Sequence, residues 1–66
     1  MSKNIRKRIV KHLLGNRLKS LRELALHALE MSIRDTPQEV HAALTHAIDA
    51  ILDAETAVVK WEIPKD

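Results

Sequence analysis

Apolar positions recur along most of this chain at spacings of three and four, and each series is preceded by a residue able to start a helix. Ile5, Ile9, Val10, Leu13 and Leu14 form the first series, with Asn4, Lys7, Arg8 and Lys11 opposite. Ser2 as cap and Gly15 as stop then predict a helix over about residues 3–14. In Ser20-Leu21-Arg22-Glu23, the Ser hydroxyl and the Glu carboxylate can each take the other's backbone amide. This capping box predicts a second helix over about 21–31. Behind it lies a stripe of Leu18, Leu21, Leu24, Ala25, Ala28, Leu29 and Met31. Thr36-Pro37-Gln38-Glu39 joins a Thr cap to Pro at the first helical position, and it opens a third helix over about 37–54. Its apolar face is Val40, Ala43, Leu44, Ala47, Ile48, Ile51 and Leu52. From Thr56 the pattern changes to alternation, with Ala57, Val59, Trp61 and Ile63 on one side and Pro64 as the end. That predicts a strand over about 56–63.

The expected fold is mainly α: one three-helix compact domain over residues 1–66 with a C-terminal β-strand. Helix, short helix, longer helix and strand follow the order of a small winged-helix domain, a likeness of order alone. A lone strand needs a partner for its backbone groups. The loops at 16–19 and 32–34 offer little, whereas the same strand of a second copy across a two-fold axis would complete a sheet. A homodimer of this kind also suits a chain so short, since domains of about 60 residues bury only about 60% of their unfolded surface. Val59, Trp61 and Ile63 would then form the dimer or partner interface. The alternatives are a lid of Trp61 and Ile63 on the helices, or strand addition to another protein.

Composition narrows the chemistry. With no cysteine there is no disulfide, Cys-based zinc site or thiol nucleophile, and a cytoplasmic location is expected. No apolar run approaches the ~18 residues needed to cross a bilayer. The basic, acid-free start resembles a mitochondrial presequence in charge, but its low Ser content and direct continuation into the next helix argue against one. No Ser, His and acid set forms a nucleophilic triad, so no enzyme activity, catalytic residue or cofactor is expected. His46, Asp49 and Asp53 are neighbours on the third helix, but without a His-x-x-x-His pair they read as a hydrated face, and no metal is expected. His27 pairs most simply with Glu23, and His12 borders an apolar side as a partly buried hydrogen bonder.

Charge carries the main functional clue. Residues 1–34 hold nine Lys/Arg against two Glu, and residues 35–66 hold two Lys against seven Asp/Glu. Cations at a helix N-terminus oppose its macrodipole, at a cost of a few tenths to ~1 kcal/mol each at low salt, so an anionic partner is expected. The reading is a small nucleic-acid-binding regulator, with DNA as partner, in which Lys3, Lys7, Arg8, Lys11, Arg17, Lys19 and Arg22 contact phosphates. The bland reading is a solvated basic face, or one neutralised by the acidic third helix. The competing functional reading is a protein-binding inhibitor or adaptor acting through the C-terminal strand and its Trp61 anchor.

Overall fold

The computed structural model describes residues 3–65. It holds two helices, α1 (Lys3–Met31) and α2 (Gln38–Lys60), packed antiparallel as a hairpin, with no strand among the described residues. The three-helix, winged-helix-like arrangement with a C-terminal strand is therefore corrected to an all-α helical hairpin.

Two of the expected boundaries are absent. The chain passes Gly15 and Ser20 without leaving the helix, so the expected helices at 3–14 and 21–31 are a single element of 29 residues. An interior Gly costs roughly 1 kcal/mol relative to Ala. Breaking the helix there would instead expose four unpaired groups at each new end, and no proline forces a break. Ser20 is therefore an exposed mid-helix residue rather than a cap, while Ser2 lies outside the described residues. The strand is missing for a related reason. Residues 56–60 continue α2, Thr56 Oγ1 donates back to the Leu52 carbonyl at 3.0 Å, and the helix closes with Trp61 N–H on the carbonyls of Ala57 and Val58. Extending an existing helix gains a hydrogen bond per residue, whereas an isolated strand gains none. Residues 61–65 follow without regular structure.

The turn between the helices is built from short polar contacts. Asp35 takes a left-handed φ of 57°, which Asp tolerates better than most residues. Thr36 does not cap α2: its Oγ1 donates to the Arg34 carbonyl at 3.1 Å. Pro37 takes the cap position, without a side-chain cap bond, and its carbonyl accepts from the Val40 and His41 amides. Across the turn, the buried Ser32 Oγ donates to the Leu29 carbonyl at 2.7 Å and lies 2.9 Å from His41 Nδ1. With the hydroxyl proton given to Leu29, His41 Nδ1–H is the donor in that second bond.

Burial follows a three-four spacing. On α1 the less exposed positions include Asn4, Lys11, Gly15, Leu18, Arg22, Ala25, Leu29 and, just past its end, Ser32, with Ala28 beside Leu29; on α2 they include His41, Leu44, Ile48, Ile51, Glu55 and Val58, with Ala54 beside Glu55. This is the 3.5-residue repeat of a coiled-coil seam, but an unusually polar one. Ile48 is the one buried apolar residue among those described, at 8% exposure. Arg22 crosses the seam to Glu55, Nη1 to Oε2 at 2.8 Å, while Glu55 Oε1 is buried and has no hydrogen-bond partner. Two helices side by side enclose too little to bury a core.

Candidate nucleic-acid interface

At 1.5 Å per residue α1 is about 44 Å long and α2 about 35 Å. The excess of α1 lies at its N-terminal end, because Lys11 already sits level with Trp61, beyond the last residue of α2. The opening turns of α1 therefore extend past their partner helix. No acidic residue stands in that first turn, so its positive charge works against the helix dipole without local compensation. α2 obeys the dipole rule, with Glu39 in its first turn and Lys60 in its last.

The expected phosphate-contacting residues fall into three groups. Lys11 and Arg22 are engaged within the hairpin: Lys11 Nζ donates to the Trp61 carbonyl at 2.6 Å, and Arg22 holds Glu55. Both side chains act as clasps across the seam. Lys7, Arg8, Arg17 and Lys19 are exposed. They do not share one face, since Arg8 and Lys19 project on one flank of α1 and Arg17 on the other. Lys3 opens α1, and its side chain lies outside the described part. Arg6, which borders the apolar positions of the first series and is not among the expected contacts, is exposed and stands on the projecting turns. Its signal was simply its place ahead of Gly15 in an acid-free run.

Beside the projecting turns is an open groove of ≈ 490 Å³ lined by Arg8, Lys11, His12 and Asn16 from α1 and by Val58, Val59 and Ile63 from the other arm. Asn16 Nδ2 and His12 Nε2 approach to 3.3 Å on its exposed side, so His12 is a surface residue rather than a partly buried one. Val59 is 77% exposed, while Trp61 and Ile63 are partly covered. These three were expected on one side of a strand. They stand instead on the last turn of α2 and the segment after it.

His46, Asp49 and Asp53 are exposed along α2, and among the described residues no group of three His, Asp or Glu is placed to hold a metal ion. Nor is any described helix long and apolar enough to cross a membrane. The architecture and its basic end define the class: a two-helix hairpin with a projecting cationic helix terminus. Comparison with known proteins takes the identification no further, because no family model, curated protein or solved structure matches the chain.

Proposed function

We propose that the hairpin is a non-enzymatic nucleic-acid-binding protein that contacts phosphates through the projecting, basic end of α1. The observation that carries this reading is a helix N-terminus with no acid in its first turn and Lys7 and Arg8 exposed around it. A cation in that first turn, such as Arg6, is disfavoured by its own helix by a few tenths to ~1 kcal/mol, and a polyanion alongside it and the neighbouring Lys7 and Arg8 offsets that cost. Arg6, Arg17 and Lys19 extend the contact along the exposed surface of α1. Because the cations surround the helix rather than line one face, the interaction is with backbone charge and not with base edges.

The test is the salt dependence of binding to duplex and single-stranded DNA and to RNA. Affinity is expected to fall steeply with salt, and Lys7→Ala plus Arg8→Ala is expected to reduce the log–log slope by ~2 on duplex DNA, about 0.9 per phosphate contact. Lys11→Ala and Arg22→Ala are expected to lower the melting temperature and leave that slope nearly unchanged, since both side chains are occupied within the hairpin. Binding that is undetectable at low ionic strength on all three probes would sink the proposal.

A protein-binding role no longer has a strand to act through. What favours a protein surface instead is the number of large apolar side chains left outside the seam, and that observation leads to a separate inference.

A further inference from the structure

Both helices carry a second apolar line, and on each it lies one residue ahead of the seam. On α1 it is Val10, Leu14, Leu21, Leu24 and Met31, which are 42, 43, 49, 65 and 81% exposed. On α2 it is Val40, Ala43, Ala47, Ala50 and Ala57, also exposed. A step of one residue turns the position by about 100° in the same sense on each helix. Since the helices run in opposite directions, those two turns carry both lines to the same side of the hairpin. The result is one apolar face, interrupted on α1 by the exposed Arg17 between Leu14 and Leu21. The reverse side is more polar, with Lys19, Glu23 and Glu30 on α1 and Thr45, Asp49 and Thr56 on α2 set among the exposed Leu26, Leu52 and Val59.

Shape and charge point to what covers this face. The hairpin is 15 Å across, and the ~35 Å over which both helices run side by side gives the face a footprint of roughly 500 Å², that of a modest, concentration-dependent interface. The α1 line is made of long side chains and the α2 line mainly of alanines. A partner that offered the same pair of lines in exchanged order would seat leucine against alanine on both sides. Charge selects the same exchange. α1 carries eight Lys/Arg against two Glu, and α2 carries four Asp/Glu against one Lys, of which Arg22 and Glu55 already pair within the hairpin and Asp49 lies on the reverse side. A second copy turned about a two-fold axis parallel to the helices lays each α1 on the other's α2, large on small and positive on negative. A two-fold axis across the helices would instead stack α1 on α1, leucine on leucine and cation on cation.

We infer that this face binds a second copy of the chain, forming a four-helix bundle in which every α1 neighbours two antiparallel α2 helices. This rests on other observations than nucleic-acid binding by the projecting end of α1, although in the dimer Arg17 belongs to the covered face rather than to the phosphate contact, and it replaces the strand-paired dimer, for which there is no strand among the described residues.

Sedimentation equilibrium of the full chain is the first measurement. A mass of two chains is expected, with a melting temperature that rises with concentration. Leu21→Glu plus Leu24→Glu is expected to give single chains, while Leu26→Glu, on the reverse side, keeps the dimer. The arrangement is read without relying on those variants, because the chain has no cysteine of its own. Leu24→Cys mixed with Ala50→Cys, oxidised under exchange, is expected to form the mixed disulfide in preference to either homodisulfide. A single-chain mass for the unaltered protein throughout the micromolar range overturns the inference. So does a dominant Leu24→Cys homodisulfide, which would mean that α1 lies on α1.

Discussion

Gly15 sits in the middle of α1, and a Cβ built on it would meet nothing within 4 Å. Its φ is not positive, so nothing in the backbone requires glycine there. Gly15→Ala is therefore expected to stabilise the protein by about 0.5–1 kcal/mol, by removing the entropy that glycine loses in a helix, and thermal melts followed by circular dichroism check it. Ser32 is the opposite case. Its hydroxyl is buried at 6% exposure and joins the Leu29 carbonyl to His41, so it ties the end of α1 to the start of α2. Ser32→Ala removes both bonds and strands the imidazole donor, and a loss of about 1–2 kcal/mol in denaturant unfolding is expected. Neither role is visible in the sequence. Gly15 reads as a helix stop, and Ser32 reads as the start of a break.

Among the elements, α2 was the most legible. Pro37 and the run from Val40 to Ile51 announce a helix whose start is displaced by a single residue. Its end was misread because Ala57, Val59, Trp61 and Ile63 alternate, while Val58 also continues the series of Ile48, Ile51 and Glu55 that faces α1. Two periods fit the same residues, and the neighbouring helix decides between them. α1 was divided for a similar reason: a capping box at Ser20 describes how a helix would start if one started there. The seam between the elements suits a double-mutant cycle on Arg22 and Glu55, whose side chains are 31 and 19% exposed. Glu55→Leu alone leaves Arg22 without its partner and is expected to cost about 1–2 kcal/mol, discounted for the solvent that still reaches the guanidinium. Arg22→Leu with Glu55→Leu is expected to match or exceed the parent in melting temperature.

For the whole molecule, the missing information was which apolar line faces inward. A three-helix reading places Leu13, Leu14, Leu18, Leu21, Leu24 and Leu29 in a core, yet a hairpin has room for one seam, which keeps Leu18, Ala25 and Leu29 and otherwise runs through Lys11, Gly15 and Arg22. No feature internal to α1 marks that choice, because it depends on where Arg22 finds Glu55 and where Lys11 finds the Trp61 carbonyl. The basic end, by contrast, was legible as composition before any geometry was known, although its division among seam and two flanks was not. In the proposed bundle both projecting α1 ends emerge at the same pole, so a polyanion would be met by two cationic helix termini at once. The Arg22–Glu55 pair bears on that assembly too. Sliding one helix past the other by a turn, about 5.4 Å, would set Arg22 against Ile51 or Val58 and leave two charges stranded among methyl groups. The pair works as a detent: it holds one alignment among several that the apolar spacing alone would accept, at a sacrifice of contact energy. The variant with leucine at both 22 and 55 should thus melt no lower and yet sample more than one registration, visible as multiplied or broadened amide resonances along α2.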